Sequence, residues 1–405
     1  MRAMEVTPVK KVTVKRANAQ QIPDHIQNNE KLRDALTLLP SNYNFEIYKT
    51  LWRIEQATAK RVALQFPDGL HIFASVIASI LECFGKCECL IMGDATYGAC
   101  CVDDFTAASL NVDFLVHYGH SCLIPIKECS IPMIYVFVDI KIDTATFLAT
   151  FRAHVPRESR VLLVSTIQFV SSLQASFAEL KQDYPLIRIP QHKPLSPGEV
   201  LGCTAPHIPC GDGAESYDSL FYVGDGRFHL EAFMIANPTI PAFRFNPYTN
   251  AFTREYLDHA LMLQMRKKAV DAGSKAKSFG IILGSLGRQG SPTVLARIED
   301  RLKALNLPYV VVIMSEIYPA KLQRFTQIDC WIQIACPRLS IDWGAQFAVP
   351  LLNPYEAEVA LGKCQWQPVY PMDFYAKQGV GEWRAGNKEK FVGEGHAAVA
   401  VALTE

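Results

Sequence analysis

Short, continuously apolar runs alternate along the chain with longer stretches in which apolar residues recur every three or four positions. The first run, RVALQF, begins at Arg61 and precedes the helix-like stretch LHIFASVIASILECF. The runs ECLIMGD, VDFLVHYG and MIYVFVDI follow. A strand that is apolar at every position is typical of a parallel sheet covered by helices on both faces. The pattern therefore predicts an α/β fold with parallel sheets.

This alternation starts again twice, at RVLLVST from Arg160 and at FGIILGSLG from Phe279. Each run is followed by a helix-like stretch (SLQASFAELKQDY, then SPTVLARIEDRLKAL) and by further apolar runs. We therefore predict three similar parallel-sheet α/β domains. The predicted division is 1–59 (a leader and two N-terminal helices), 60–148, 149–268 and 269–370 (the three domains), and 371–405 (a Gly- and charge-rich C-terminal extension, expected to be peripheral or partly disordered).

The composition is that of a globular protein. Hydrophobic residues make up 49% of the 405 positions, charged residues make up 20%, and the formal net charge is zero. A neutral chain has no general attraction to nucleic acid or to an anionic membrane, so neither is predicted as a partner. The apolar runs are shorter than the ~20 residues that span a bilayer, and the basic N-terminus lacks the apolar core of a secretory signal. We therefore expect a cytoplasmic protein with reduced cysteines.

Cysteines are the first candidates for chemistry, because twelve of them in a reduced chain are core residues, metal ligands or catalytic groups. Cys83, Cys87 and Cys89 form a CxxxCxC group, one residue short of the CxxxCxxC of ordinary radical-SAM cluster loops. The strand ECLIM carries Cys89 into the sheet, where a free cysteine behaves as a small apolar residue. We interpret this group as structural.

Three other cysteines lie where ligand-binding loops emerge from parallel strands. Cys100 ends GDATYGAC, Cys203 lies in VLGCTAP, and Cys336 follows the strand WIQIA. Each lies beside Gly or Pro in a different predicted domain, as a cluster shared by three domains requires. Counting alone does not select them, since twelve cysteines offer many triplets. Their flanking sequences do.

A family resemblance rests on QFPDGL (from Gln65), GDATYGAC, VGDGRFH (from Val223), LGSLGRQGSP (from Leu283) and QIACPRLSIDWG (from Gln333). Between about Asn42 and Tyr375, the chain resembles the diphthamide synthesis enzymes, the 2-(3-amino-3-carboxypropyl)histidine synthases. The segments CPRLSIDWG and GRQGSP are more similar to the catalytic first subunit of the eukaryotic enzymes than to its homologous partner.

The resemblance implies a pseudo-threefold arrangement of the three domains around a central [4Fe–4S] cluster, with Cys100, Cys203 and Cys336 as ligands. S-adenosylmethionine then binds at the iron that has no protein ligand. In the family, an electron from the cluster releases a 3-amino-3-carboxypropyl radical, which adds to a histidine imidazole carbon of translation elongation factor 2. The implied activity is a transferase reaction, the first step of diphthamide biosynthesis, by non-conventional radical-SAM chemistry.

The resemblance also implies partners: a homologous second subunit in a heterodimer, elongation factor 2 as the substrate, and a small metal-binding protein as electron donor. Two other functions stay open. One is a non-catalytic partner subunit that carries the cluster, although such a subunit is expected to lack one ligand. The other is a [4Fe–4S] dehydratase resembling quinolinate synthase. A plain zinc protein is disfavoured, because structural zinc prefers four ligands with close cysteine pairs.

Some residues outside the cysteines are candidates for binding S-adenosylmethionine. Gly284 and Gly287 lie in GSLGRQG between a strand and a helix, where backbone amides can receive a carboxylate or phosphate. A tight turn without a ligand explains these glycines equally well. Arg338 has the planar fork to clamp the carboxylate of the methionine moiety. A salt bridge with Asp342 is the alternative.

Gln65, Asp68 and Gly69, in QFPDGL, end the first strand, and Asp68 has the chemistry to meet an amino or ribose group. Ordinary turn formation explains Pro-Asp-Gly as well. His117 and His120, in HYGHSC, are candidates for an acid role or a structural one.

The other cysteines are given no function. The residue after the first proposed ligand, Cys101, points away from the site if its loop is extended, and we interpret it as a bystander. The remaining ones are interpreted as structural or incidental: Cys122, Cys129, Cys210, Cys330 and Cys364.

Overall fold

The computed structural model describes residues 22–94, 96–209, 216–377 and 381–385. The predicted leader, the end of the predicted C-terminal extension and Cys210 lie outside the described residues. The two predicted N-terminal helices are confirmed. The elements before the first sheet are α1 (Asp24–Gln27), α2 (Glu30–Leu36), β1 (Tyr43–Asn44) and α3 (Ile47–Ala57).

The first sheet has four parallel strands in the order β3-β2-β4-β5, and β1 pairs with β6 in a separate antiparallel ribbon. Its strands are the predicted apolar runs. The elements of this unit are β2 (Arg61–Gln65), α4 (Ala74–Gly85), β3 (Glu88–Met92), α5 (Asp104–Ser109), β4 (Phe114–Tyr118), β5 (Met133–Val136), β6 (Asp139–Ile140) and α6 (Thr144–His154).

The second sheet joins three parallel strands, β7, β8 and β9, to the antiparallel edge strand β10. On the other side of β7, Leu162 forms a parallel bridge with Arg188. The elements of this unit are β7 (Val161–Ser165), α7 (Val170–Asp183), β8 (Ser219–Val223), α8 (Phe228–Ala236), β9 (Ala242–Phe245), β10 (Phe252–Glu255) and α9 (His259–Gly273).

The third sheet is again fully parallel, in the order β12-β11-β13-β14. The elements of this unit are β11 (Phe279–Gly284), α10 (Pro292–Ala304), β12 (Tyr309–Met314), α11 (Pro319–Leu322), β13 (Cys330–Ile334), α12 (Arg338–Trp343), β14 (Leu351–Leu352) and α13 (Pro354–Ala360).

The three units share one strand order. In the first and third sheets, the first strand of the unit lies between the second and the third. In the second sheet, the segment around Arg188 takes the place of the second strand, beside β7. The predicted α/β class with several parallel sheets is confirmed, and the pseudo-threefold arrangement around a cluster stays a prediction.

Two predicted domain boundaries fall inside helices. The boundary at 148/149 lies within α6, which packs on α7 of the second unit. The boundary at 268/269 lies within α9, which packs on α13 and β14 of the third unit. A buried ion pair joins α9 to α13, with Arg266 Nε 2.6 Å from Glu356 Oε1. Each helix therefore connects two units, and it packs on the unit that follows.

One helical stretch, Asp68–Gly85, has the length and hydropathy of a membrane span. Composition and length alone are weak indications, because core helices share both properties. The side chains of Ile77, Ile80 and Leu81 are buried in the first hydrophobic core. The apolar run IFASVIASIL therefore forms a core helix, as predicted.

The segment after Pro371 is not peripheral in its described part, residues 371–377 and 381–385. Met372, Phe374 and Trp383 are buried in the core of the second unit. The backbone N–H of Ala205 donates to the carbonyl of Met372 at 2.9 Å. The prediction of a peripheral extension is wrong here, because the apolar positions around Phe374 pack inward although the tail as a whole is rich in Gly and charge.

Candidate metal centre

Cys100, Cys203 and Cys336, one from each unit, lie in one neighbourhood. Cys100 is in the 3₁₀ turn Ala99–Cys101, and Cys336 lies between β13 and α12. A hydrogen bond with Cys101 raises the pKa of Cys100; burial and the nearby charges of Cys101, Cys203 and Cys336 raise it further. Burial also raises the pKa of Cys336 to about 11 and, together with the charge of Cys336, that of Cys203 to about 12. The three sulfurs therefore lie within one another's electric field.

Such a set of thiols suits a cationic iron–sulfur cluster. Burial and like charges keep the thiols protonated, and bound iron reverses that preference because thiolates are the ligands it takes. Within the described ranges, no group of three or more His, Cys, Asp or Glu side chains is arranged to hold a single metal ion. A [4Fe–4S] cluster binds each cysteine to a different iron, so its ligands stand further apart than those of one ion. The chemistry of these three residues fits such a cluster, because thiolates are the ligands that iron–sulfur clusters take.

The turn that carries Cys100 is held by the GRQG loop of the third unit. The N–H of Arg288 donates to the Cys100 carbonyl at 2.8 Å. The Arg288 guanidinium donates to both oxygens of the buried Asp104, from Nε at 2.8 Å and from Nη2 at 2.6 Å. It also lies 3.8 Å from the centre of the Phe105 ring. The third unit thus fixes the ligand loop of the first.

Gly287 makes this approach possible. Its φ of +57° is in the left-handed region, and a Cβ there would lie 2.5–2.7 Å from backbone atoms of Cys101. The tight turn alone therefore explains why glycine stands at position 287, as the alternative prediction without a ligand stated. Gly284, at the end of β11, packs against Ala335, with which a Cβ would collide at 2.7 Å. A binding role for either glycine stays a prediction.

Gly287→Ala should weaken the packing between the first and third units. We expect it to lower the free energy of unfolding by about 1–3 kcal/mol, because the methyl group meets backbone that cannot move aside cheaply. Urea denaturation of the metal-free protein measures this. Gly226→Ala is the matched control, since a Cβ there has no atom within 4 Å. Equal losses from the two changes would contradict the packing role of Gly287.

Arg338 holds the Cys203 loop in the same way. Its side chain is 4% exposed, Nε donates to both oxygens of Asp342 at 2.9 Å, and Nη2 donates to Glu231 at 2.6 Å. Nη1 donates to the carbonyls of Gly202 at 3.1 Å and Phe228 at 2.7 Å. Nε, Nη1 and Nη2 of Arg338 all donate to protein groups. The alternative prediction, a salt bridge between Arg338 and Asp342, is therefore the one that the structure shows. A clamp on a substrate carboxylate stays an untested prediction.

Gln65 secures the Cys100 turn from within the first unit. Its Nε2 donates to the Cys101 carbonyl at 2.8 Å, and its Oε1 lies 2.8 Å from His117 Nδ1. Because an amide oxygen only accepts, His117 Nδ1 is the donor, and His117 Nε2 then accepts from His120 Nδ1 at 3.2 Å. Burial lowers the pKa of both histidines, that of His120 to about 3. Both are neutral and act as a hydrogen-bonded support.

Asp68 and Gly69 are not brought into this network. They are exposed in the 3₁₀ helix Asp68–Phe73, which follows β2. Their predicted cofactor-binding role stays a prediction. Of the CxxxCxC group, Cys87 and Cys89 pack against the first core and Cys83 is exposed on α4.

The condition under which Cys101 would point away from the site is not met, because its loop is a 3₁₀ turn and not extended. Its interpretation as a bystander that binds no metal stays a prediction. The Cys101 thiol is fully buried and accepts from Gln289 Nε2 at 3.2 Å. A hydrogen bond from Cys100 lowers the pKa of Cys101 to about 7. Sequence inspection also missed Gln289 and Tyr375, since no local pattern indicates that either residue lies beside the cysteines.

Fold and site together define an α/β protein with parallel sheets and a cysteine site between its units. The matching family model, for diphthamide synthesis proteins, covers residues 66–371. The chain belongs to this family.

The relatives share most of their length with this chain. The chain is 56% identical to 2-(3-amino-3-carboxypropyl)histidine synthase subunit 1 of Gallus gallus over 92% of this chain and 90% of that one. It is 55% identical to the Homo sapiens protein of that name, over 90% of this chain and 82% of that one. Among solved structures, Dph2 from Pyrococcus horikoshii with a 4Fe-4S cluster matches with a TM-score of 0.67 and 25% identity, over 82% of this chain and 94% of that one. The predicted family is confirmed.

Proposed function

We propose that the chain is the catalytic first subunit of a eukaryotic-type 2-(3-amino-3-carboxypropyl)histidine synthase. Its reaction is the first step of diphthamide biosynthesis, transfer of the 3-amino-3-carboxypropyl group of S-adenosylmethionine to a histidine of translation elongation factor 2. The names of the relatives support this activity. The observation that carries it is the shared neighbourhood of Cys100, Cys203 and Cys336, one from each unit.

In this proposal the three cysteines hold a [4Fe–4S] cluster and leave one iron for S-adenosylmethionine. When bound, the cluster supplies the electron that breaks the sulfonium bond to the aminocarboxypropyl group. The chain orients and shields the site. Arg288 and Arg338 hold the ligand loops, and the neutral His117–Gln65 pair supports the Cys100 turn without adding charge.

The partners of the reaction belong to the same proposal. They are a homologous second subunit in a heterodimer, elongation factor 2, and a small metal-binding electron donor, all in the cytoplasm. The relatives are named as subunit 1, which supports an assembly with at least one other subunit. A non-catalytic subunit is disfavoured by the presence of all three cysteines. A quinolinate-synthase-like dehydratase is disfavoured by the family match.

The nucleoside product tests the proposed reaction. The full chain, purified without oxygen together with its second subunit, is incubated with dithionite and S-adenosylmethionine. We expect methylthioadenosine, because the bond to the aminocarboxypropyl group breaks. Cys336→Ala protein prepared in parallel should give background levels only. 5′-Deoxyadenosine as the product would indicate conventional radical-SAM cleavage and would contradict the proposal.

A further inference from the structure

Tyr375 is held between the ligand loops of the second and third units. Its N–H donates to Thr204 Oγ1 at 3.1 Å, and Thr204 Oγ1 lies 3.9 Å from the sulfur of Cys203. An antiparallel bridge pairs Thr204 with Asp373, two residues before the tyrosine. The backbone of Tyr375 is therefore fixed beside the Cys203 loop.

Tyr375 also lies near the Cys336 loop. It borders a small cavity of about 20 Å³ that Ala335 and Pro337, the two neighbours of Cys336, also line. The ring is part of the hydrophobic cluster that contains Cys203 and against which Cys100 packs. Tyr375 thus touches the surroundings of all three proposed ligands.

The phenol hydroxyl of Tyr375 has no part in the hydrogen bonds among the described residues. Tyr375 is only 9% exposed, and its hydroxyl forms no hydrogen bond with any described residue. Burial raises the pKa of Tyr375, and the charges of Cys100, Cys203 and Cys336 each raise it further. A phenol carries its proton at neutral pH, so this hydroxyl can donate to a thiolate or sulfide sulfur once a cluster is bound.

We propose that Tyr375 is a cluster-facing residue whose hydroxyl donates a hydrogen bond to a sulfur of the bound cluster or of its ligands. This inference rests on the proposed cluster at Cys100, Cys203 and Cys336. A hydrogen bond to a cluster sulfur stabilises the reduced, more negative state and so raises the reduction potential. The described part of the C-terminal segment thereby contributes to the electron-transfer properties of the site as well as to packing.

Tyr375→Phe tests the inference, because phenylalanine keeps the ring and removes only the hydroxyl. We expect wild-type iron and sulfide content, a reduction potential shifted to more negative values, and the loss of one exchangeable-proton coupling in pulsed electron–nuclear double resonance spectra recorded in H₂O and D₂O. The matched control is Tyr222→Phe. Tyr222 is fully buried with an unpartnered hydroxyl, and its charged neighbours are Asp225 and Arg244 rather than cysteines.

Three outcomes would overturn the inference. The first is an unchanged potential and proton coupling in loaded Tyr375→Phe protein. The second is an equal change in Tyr222→Phe. The third is a lower melting temperature of metal-free Tyr375→Phe protein than of metal-free wild type, because the hydroxyl then stabilises the fold instead. Wild-type protein that binds no cluster at all would instead contradict the proposed function.

Discussion

Cys203→Ala, Cys100→Ala and Cys336→Ala should each abolish cluster binding and methylthioadenosine formation. A cluster held by three cysteines leaves one iron open; removal of another ligand leaves two irons without protein bonds. Cys203 is buried, and within the described ranges no group of three His, Cys, Asp or Glu side chains offers an alternative metal site. Iron and sulfide analysis after anaerobic reconstitution measures binding, and the nucleoside product measures activity.

Cys101→Ala and Cys89→Ala are the controls for this prediction. Cys101→Ala is the more stringent control, because the buried Cys101 thiol is hydrogen-bonded to Cys100 and Gln289. We expect Cys101→Ala to keep the cluster, since its neighbour carries the proposed bond to iron. A dispensable Cys203 together with an essential Cys83–Cys89 group would contradict the ligand assignment.

Arg338→Ala should destabilise the metal-free protein by about 1–3 kcal/mol, because the carbonyls of Gly202 and Phe228 lose their donor and two carboxylates lose their partner. The side chains of Glu231 and Asp342 are 23% and 27% exposed, so water replaces part of the lost ion pairs. Glu231 loses its 2.6 Å partner, and the Gly202 carbonyl beside Cys203 loses its donor. We therefore expect lower iron content as well. Urea denaturation and iron analysis measure the two effects.

Arg227→Ala is the matched control, because Arg227 pairs with the same Glu231 at 3.4 Å but is 45% exposed. Exposed ion pairs contribute about 0–1 kcal/mol, so this variant should be near wild type in stability and iron content. Equal effects from both arginines would show that Arg338 does not hold the Cys203 loop.

Most of the strands were predictable from the sequence because burial, complete along β4, β7, β8 and β13, makes them largely apolar. RVALQF and FGIILGSLG form interior strands of parallel sheets, and RVLLVST forms β7 of the mixed second sheet. The domain boundaries were harder, because a helix that joins two units carries no mark of which unit it packs on. Both α6 and α9 pack on the unit that follows, and local periodicity does not report that choice.

Some of the residues around the site could be predicted from the sequence and others could not. Position after a strand, beside Gly or Pro, selected three cysteines whose charges act on one another, and their role as ligands stays a prediction. Gln65, Gly287 and Arg338 lie near the cysteines but support the ligand loops, which depends on distances between units that a sequence does not give. Tyr375 was missed because the composition of the tail as a whole hid its buried part.

The central claim is that three sulfurs from three units bind one cluster and leave one iron free. A crystal structure of the anaerobically loaded protein, with data collected at the iron absorption edge, tests it most directly. We predict a single four-iron peak bonded to Cys100, Cys203 and Cys336, with the fourth iron bonded to no protein atom. Iron bound at Cys83, Cys87 and Cys89, or a cluster that any one of the three predicted ligands does not reach, would contradict the account.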